Sequence, residues 1–340
     1  MKRAAWINGL LLAVLLFLSW QQWTSEPEVD RGDKVVLLSG DATDITQIRW
    51  AGDKSESTLV RQSDALGEYT WVQSTRWTKK PVVAPGPQDG APVEVGEPER
   101  IAKDSVFKAS GKIDKLYKDL SPMLALRRLE VTDDAKIAEI GLTEPTATIS
   151  IVRGSQTQTL DIGGEAYGSK HIYVRRQSDG LVYLVERDLI QTLKNARSRL
   201  ADHSLVGLAR KDIARAVITW SGESLDVTQR NVDDERQARW VLSEDQEQAQ
   251  EQLTTWMGQA LKLKGMRYAE PSDPPADLQT RLSVELIPAK GASQTLEILQ
   301  VGDGGDWYAR SAYTRGLVKV VRSGARGLVD DVQSVIESTD

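Results

Sequence analysis

The chain has 340 residues, 40% of them apolar, and its 43 basic against 49 acidic residues give a formal net charge of -6. This length allows one large hydrophobic core or two domains of ordinary size. The acidic balance argues against a general nucleic-acid-binding protein, which needs a basic surface. The absence of cysteine excludes disulfides, thiol nucleophiles and thiolate metal sites.

An apolar run covers residues 4–20 and follows Lys2 and Arg3. A helix of about 17 apolar residues, at about 1.5 Å per residue, just spans a hydrocarbon core, and tryptophans stand near both ends of the run. Residues 1–23 are therefore predicted to form a short cytoplasmic start and one transmembrane anchor. A cleaved signal peptide is the alternative, although SWQQW lacks the small side chains of a cleavage site. The basic start predicts a single-pass inner-membrane protein with a periplasmic body.

Residues 24–43 predict a tether with one edge strand at its VVLL run. Alternating segments at 44–50, 57–62 and 68–74 then predict a meander. Residues 76–112 carry five prolines, which bar a long helix or a central strand. This insertion is interpreted either as a solvated surface loop or as an extended arm that binds a partner.

The stretch 146–193 shows the plan of the chain, because a second version of it occupies residues 280–329. Each version has two alternating strands, a glycine-containing connection, two more strands and a short helix. Helical spacing at 113–129 likewise has a counterpart at 244–266. We therefore predict a duplication. The first repeat covers 44–200, with the insertion 76–112, and the second covers 201–340.

The predicted fold class is α+β. An N-terminal transmembrane helix is followed by two similar strand-rich repeats. Each repeat has mostly antiparallel meanders and one or two helices.

No catalytic, cofactor-binding or metal-ligating constellation is predicted. His171 and His203 lack a metal-ligand partner at i+4, and both are interpreted as structural or surface residues. The glycine-rich stretches 163–168 and 301–307 do not match phosphate, dinucleotide or calcium loops. Because they occupy the same place in the two repeats, they are predicted to connect strands.

The ten tryptophans raise the question of a stacking platform for sugars or bases. Trp50 and Trp71 recur as Trp220 and Trp240 in the second repeat, which favours packing in the core. The other aromatic residues and the insertion supply candidate contacts for a partner. These candidates are Trp77, Pro85, Pro87, Trp256 and Trp307.

Several motifs resemble those of the DUF4340 family. They are an I-x-x-I-x-W strand at 45–50, Trp71 with Val72, GL-x-x-P-x-A-T-I-x-I at 141–151, IGG at 162–164, and IYVRR-x-x-DG-x-VYLV at 172–185. The resemblance is clearest over 139–193 and extends, through the repeat, over most of 44–329. It implies an auxiliary component of a gliding-motility-type ABC transporter, with permease subunits as partners. It also implies membrane attachment through one helix, with no small-molecule cofactor.

Two functional hypotheses remain open. The first is a membrane-anchored periplasmic interaction module without catalytic activity, which docks on an ABC-type transporter through strand edges or the proline-rich arm. The alternative is a periplasmic protein that binds a glycan or lipid in a cleft between the repeats. Five basic residues are interpreted as a solvated face or, where they cluster, as a binding surface for an acidic partner or an anionic glycan: Arg127, Arg128, Lys170, Arg175 and Arg176. An envelope hydrolase is disfavoured, because no acid, base and nucleophile converge in the sequence.

Overall fold

A computed structural model describes residues 34–79, 100–131, 133–232, 237–245, 250–270 and 274–337. The strands are β1 (Val35–Leu38), β2 (Ile45–Gly52), β3 (Ser55–Asp64), β4 (Gly67–Lys79), β5 (Arg100–Lys108), β6 (Met123–Ala125), β7 (Arg127–Leu129), β8 (Ala147–Arg153), β9 (Gln156–Glu165), β10 (His171–Arg176), β11 (Val182–Glu186), β12 (Ile213–Trp220), β13 (Glu223–Arg230), β14 (Arg239–Leu242), β15 (Gly265–Tyr268), β16 (Leu278–Pro288), β17 (Gln294–Val301), β18 (Trp307–Arg310) and β19 (Val318–Val320). The helices are α1 (Lys112–Asp119), α2 (Asp134–Glu139), α3 (Arg187–Lys194), α4 (Ala196–Leu200), α5 (Glu251–Lys262) and α6 (Arg322–Glu337), with 3-10 turns at Ala42–Asp44 and Arg210–Asp212.

The two large sheets follow one strand order. The first sheet runs β5-β4-β3-β2-β8-β9-β10-β11-β7, and the second runs β14-β13-β12-β16-β17-β18-β19-β15. Neighbouring strands are antiparallel in both sheets, and β1 and β6 form a separate antiparallel pair. Without β5 the two orders coincide position by position, from β4 and β14 at one edge to β7 and β15 at the other. The same plan is built twice, and β5 is an addition to the first sheet.

Alternating burial explains why these segments form strands. In β16, Leu282, Val284 and Leu286 are 1%, 1% and 0% exposed, while the residues between them are half-buried. In β8 of the first sheet, Ile149 and Ile151 are fully buried at the same spacing. Each such side chain stabilises the fold by about 1.5–3 kcal/mol when it leaves water. The apolar face of each sheet is therefore the face that helices cover.

Helices α5 and α6 cover the second sheet as a packed pair, and α3 packs on β2 and β3 of the first sheet with α1 beside it. The buried residues of the pair follow helical spacing: Leu253, Trp256, Met257 and Ala260 in α5, and Ala325, Leu328, Val332, Val335 and Ile336 in α6. The Trp256 indole N–H donates to the Leu328 carbonyl at 2.9 Å, which fixes one helix against the other.

The predicted N-terminal transmembrane helix requires correction. No helix among the described residues is long and apolar enough to cross a membrane. The longest of them, α6, has 16 residues and carries Arg326, Asp330 and Asp331, and at about 1.5 Å per residue it is shorter than the hydrocarbon core. The predicted span at residues 4–20 lies outside the described residues. The transmembrane helix in the fold class and the inner-membrane, periplasmic localisation that depended on it are therefore withdrawn. The described chain is a strand-rich fold with three antiparallel sheets.

The two predicted helices are shorter in the structure. Helix α1 ends at Asp119, and the rest of the predicted helix 113–129 forms β6 and β7. Pro122 explains the end, because it has no N–H to donate to a helix. The following short strands satisfy their backbone groups by pairing with β1 and β11. In the second repeat, α5 occupies only Glu251–Lys262 of the predicted 244–266.

Parts of the insertion 76–112 form strands, where the sequence predicted a loop or an extended arm. Strand β4 continues to Lys79, and β5 returns beside it from Arg100 to Lys108 in continuous antiparallel register. Residues 80–99 lie outside the described residues. The described part of the insertion therefore gives the first sheet an edge strand for which the described second sheet has no counterpart.

Candidate functional site

A buried ion pair joins the two halves of the protein. Lys108 ends β5, Asp202 lies between α4 and β12, and Tyr313 lies between β18 and β19. The Lys108 Nζ atom is 3.0 Å from Asp202 Oδ2, and the two side chains are only 4% and 7% exposed. The Tyr313 hydroxyl donates to the same oxygen at 2.6 Å, and the centre of its ring lies 3.0 Å from Nζ. These three residues form one network, here called the joint network, that connects the two sheets.

The Asp202 carboxylate remains ionised in this setting. Burial by itself raises the pKa of Asp202, but hydrogen bonds from the Tyr313 hydroxyl, the Ser204 N–H and the Lys108 ammonium outweigh burial and lower the pKa. Burial also lowers the pKa of Lys108, against the opposing effect of Asp202. Burial and the hydrogen bond to Asp202 raise the pKa of Tyr313, so its hydroxyl keeps its proton. Because each group is bound to another, we interpret the joint network as a structural link.

A second set of contacts holds the sheets beside this network. Arg315 donates to the Asp64 carboxylate from Nε at 2.5 Å and from Nη2 at 2.9 Å. Its guanidinium lies over the Tyr69 ring, 4.1 Å from the ring centre. Trp71 and Tyr268 meet edge to face, with 5.5 Å between ring centres. Each of these contacts joins a residue of the first sheet to a residue of the second half. Together they hold the two halves in one position relative to each other.

A cleft of about 920 Å³ opens between the halves. Strands β4 and β5 and the junction of α3 and α4 line it from the first half. Strand β15, residues 269–270 and 274–276, β18 and β19 line it from the second half. The cleft therefore lies along the edge strand that the first sheet has in addition.

Basic side chains line both walls of the cleft. Lys319 pairs with Asp306, but five other cations form no ion pair within the described residues: Arg76, Lys103, Lys194, Arg197 and Arg267. Asp104, Asp202 and Glu270 are the acidic lining residues, and Asp202 is neutralised by Lys108. The cleft thus carries an excess of positive charge on a protein whose formal net charge is -6. Such a charge distribution attracts anionic groups.

The outer edge of β5 has no strand paired with it among the described residues, although β15 packs close to the strand. Within the described part of the chain, β5 is the last strand on its side of the first sheet. The connector covers only its end, where the Ser110 N–H donates to the Leu200 carbonyl at 2.7 Å and the Asp202 N–H donates to the Lys108 carbonyl at 2.9 Å. These two bonds form an antiparallel bridge around Ala109 and Ala201.

The alternation of an antiparallel ladder tells which groups of β5 face the cleft. Residues two apart direct their N–H and C=O groups to the same neighbour. Since Lys108 and Ser110 face the connector, Ala102, Asp104 and Val106 direct theirs outward along the same edge. The lining of the cleft includes every residue from 103 to 107, as expected where a strand edge borders a cavity.

The second sheet closes its corresponding edge. At β14, the Trp240 N–H donates to the Thr254 hydroxyl at 2.8 Å. The same hydroxyl donates to the Trp240 carbonyl at 3.4 Å. A side chain of α5 therefore satisfies backbone groups that another strand would otherwise pair. Among the described residues, no helix side chain is seen to satisfy the outward backbone groups of Ala102, Asp104 and Val106 in this way.

The structure places the sequence-predicted residues largely away from the cleft. Trp256 and Trp307 are 2% and 5% exposed, so neither offers a surface contact. Trp77 is half-buried on β4 beneath the Arg100 guanidinium, 5.1 Å from the ring centre. Pro85 and Pro87 lie outside the described residues. His203 does line the cleft, where its Nδ1 atom is 2.8 Å from the Gly265 carbonyl.

The basic residues singled out in the sequence are not the cleft cations. Arg175 and Arg176 pair with Asp161 and Asp179 on the first sheet. The five cations of the cleft that form no ion pair come from five separate elements, and no local spacing relates them. Only the alternation in RIAKDSVFK could have indicated β5 before the structure.

No group of three or more histidine, aspartate or glutamate side chains within the described ranges is placed to hold a metal ion. The cleft thus combines several basic side chains with the edge of a strand, two features by which proteins can recognise peptide segments.

One of the comparisons with known proteins identifies a family. Residues 109–280, half of the chain, match the family model described as "Domain of unknown function (DUF4340)". The chain belongs to this family, as its motifs predicted. No curated protein and no solved structure matches it.

Proposed function

We propose that this protein is a non-catalytic interaction module that serves as an auxiliary subunit of an ABC-type transporter complex and binds its partner in the cleft between the two sheets. The observation that supports the proposal is the combination, in one cleft, of unpaired cations and an open strand edge. Strand edges and complementary charge are both common means of recognising a protein segment. The association with a transporter comes from the family resemblance.

Five cations that line the cleft form no ion pair within the described residues. A cation that has no partner within the protein remains hydrated, and it gains an opposite charge without breaking an existing ion pair. Lys103 of β5 and Arg267 of β15 stand on opposite walls. A partner that enters between them contacts both halves at once, and the joint network keeps those halves in place to receive it.

Co-purification with transporter subunits tests this proposal. We expect the tagged protein to recover a permease and its ATPase from its native cells. The double variant Lys103→Glu/Arg267→Glu should recover about ten-fold less, because two attractive contacts become repulsive and about 1.4 kcal/mol corresponds to ten-fold.

The matched control is Lys290→Glu, which makes the same charge change at an exposed lysine outside the cleft lining. Its recovery should equal that of the native protein. Equal recovery by the cleft variant, with native thermal unfolding, would contradict docking in the cleft. Absence of transporter subunits from every preparation would contradict the transporter assignment.

The second candidate function is binding of an anionic glycan or lipid headgroup in the same cleft. A volume of about 920 Å³ suits a ligand of that size, and the five cations suit its charge. The aromatic residues among the described lining are Phe107, Tyr268 and Tyr308, and all three are buried, so none of them presents an open ring face for stacking on a sugar. Titration with an acidic oligosaccharide separates this candidate from the first, which predicts no saturable binding.

A further inference from the structure

We infer that the partner contributes an extended, acidic segment that adds to the outer edge of β5 as a further antiparallel strand inside the cleft. This inference rests on the proposed function and specifies how the partner is recognised. The main chain of β5 would supply affinity, and the cations around it would select the sequence of the segment.

The protein already begins this pairing itself. At the end of β5, the connector 200–202 lies antiparallel to residues 108–110 and forms two backbone hydrogen bonds with them. Past Asp202 the connector leaves the edge, and the Gly265 N–H donates to the His203 carbonyl at 2.9 Å. The N–H and C=O groups of Ala102, Asp104 and Val106 continue the same line without a strand partner in the described chain. A partner segment can therefore extend a ladder whose first rungs exist.

The open part of the edge sets the length of the segment. Residues 100–106 amount to about 23 Å of strand at about 3.3 Å per residue. A strand of six or so residues makes use of three of the four outward-facing pairs of N–H and C=O groups in this range, those of Ala102, Asp104 and Val106. An edge of this length rarely stays open unless it is protected or used.

The surrounding charges define the side chains that fit. Lys103 pairs directly across the ladder with Arg76 of β4, so both project from one face of the sheet. Lys194 and Arg197 of the α3–α4 junction line the same cleft. Side chains two residues apart in a strand share a face. Glutamate or aspartate at alternate positions would therefore meet these cations.

The same charges explain why the edge is selective. A lysine on an edge strand discourages pairing with the same edge of another copy, because like charges would meet. An acidic segment converts this repulsion into attraction. The corresponding edge of the second sheet is closed by Thr254, which restricts strand addition to the first sheet.

Fluorescence anisotropy with the full chain and a defined probe tests the inference. The probe is a capped eight-residue peptide of alternating glutamate and threonine, and the control peptide alternates lysine and threonine. Two further peptides carry N-methyl groups on every glutamate or on every threonine. Since alternate N–H groups point to opposite edges of a strand, only one methylation pattern removes the bonds to β5. We expect one methylated peptide to bind about ten-fold more weakly and the other to match the parent.

Protein variants locate the binding. Val106→Pro removes one outward N–H while leaving the bonds to β4, because proline is tolerated on the free side of an edge strand. It should weaken the probe about ten-fold, as should Lys103→Glu, whereas Lys290→Glu should leave binding unchanged. The N-terminal part of β5 stays paired in these variants, and far-ultraviolet circular dichroism checks that the fold is retained.

Each other outcome overturns a stated part. Equal binding of both methylated peptides, with loss in Lys103→Glu, would show that acidic segments dock by charge alone; the proposed function would stand and strand addition would fall. Failure of the probe at about 1 mM, with transporter subunits still recovered through the cleft, would reject the acidic strand. Competition from a second copy of this chain or from anionic lipid vesicles, in place of the probe, would assign the edge to those occupants. Failure of both the probe and the recovery would reject both proposals.

Discussion

Asp202 shows how one residue can hold two sheets together. Its carboxylate accepts hydrogen bonds from Tyr313 and the Ser204 N–H and contacts the Lys108 ammonium, within a site that excludes most water. A buried pair of this kind adds little stability compared with an apolar pair of the same shape. Removing one partner is costly, because the other charge stays buried alone. A substitution of Asp202 is thus expected to weaken the contacts of both Lys108 in the first half and Tyr313 in the second.

Asp202→Asn should lower the free energy of unfolding by about 3 kcal/mol at neutral pH, because it leaves the Lys108 ammonium without its counter-charge. Urea denaturation measures the loss. Glu144→Gln is the control, since Glu144 is exposed, and it should change stability by less than about 0.5 kcal/mol.

The same variant gives a pH signature with a definite sign. Asp202 has a folded-state pKa below its ordinary 3.8, so its stabilising effect is complete above 3.8 and is lost as pH falls through the folded-state value. As pH falls from 5 through the folded-state pKa of Asp202, the free energy of unfolding should therefore decrease more in the native protein than in Asp202→Asn. Parallel curves for the two proteins would contradict an ionised Asp202 in the joint network.

At the level of elements, the two sheets treat the same edge differently. Strand β14 is closed by a threonine of α5, while β4 carries β5, whose own edge stays open beside the cleft. The Thr254 hydroxyl acts as a substitute for a neighbouring strand, because it accepts from one backbone group of Trp240 and donates to another. The edge of β14 is thus satisfied within the protein, while the edge of β5 is the one to which the proposed partner segment would add.

Thr254→Val should destabilise the protein by about 1–2 kcal/mol, because it keeps the shape of the side chain and leaves the Trp240 N–H without its acceptor. The neighbouring Thr255→Val provides the control, since Thr255 is exposed on the same helix. Thermal unfolding of the two variants makes the comparison. A loss as large in Thr255→Val would mean that helix propensity, and not the hydrogen bond, causes the effect.

Sequence patterns predicted local elements better than their ends. The alternating segments 57–62 and 68–74 lie within β3 and β4, and 44–50 lies within β2 except for its first residue. These segments are recognisable because one face is buried, which imposes a period of two. Helix 113–129 was overextended, since apolar spacing continues past Pro122 although the backbone turns into strands.

The cleft itself could not be predicted from the sequence. Arg76, Lys103 and Arg267 are far apart in the chain, and they share a cavity only because the sheets meet beside the joint network. Proline-rich composition also concealed β5, whose alternation is short and whose apolar residues are few. Trp256 and Trp307 were misplaced for the opposite reason. Their size suggested contacts, while their helical and strand positions turn them into the core.

At the level of the whole molecule, the two large sheets share one strand order and differ by one edge strand. Two copies of one strand order give two sheets with separate helical covers, joined by a buried ion pair. The strand that breaks the symmetry, β5, lies where the two copies meet. The proposed partner site therefore lies at a strand of the first sheet for which the described second sheet has no counterpart.

Residue-resolved hydrogen exchange of β5 tests this account most directly. In the free protein, the N–H groups of Ala102, Asp104 and Val106 should exchange rapidly, while those of Lys103 and Ser105, bonded to β4, should be protected. Saturation with the alternating glutamate–threonine peptide should slow the first three by about ten-fold or more and leave the others unchanged. Equal exchange of those three amides in the free and the saturated protein would contradict the addition of a strand to β5.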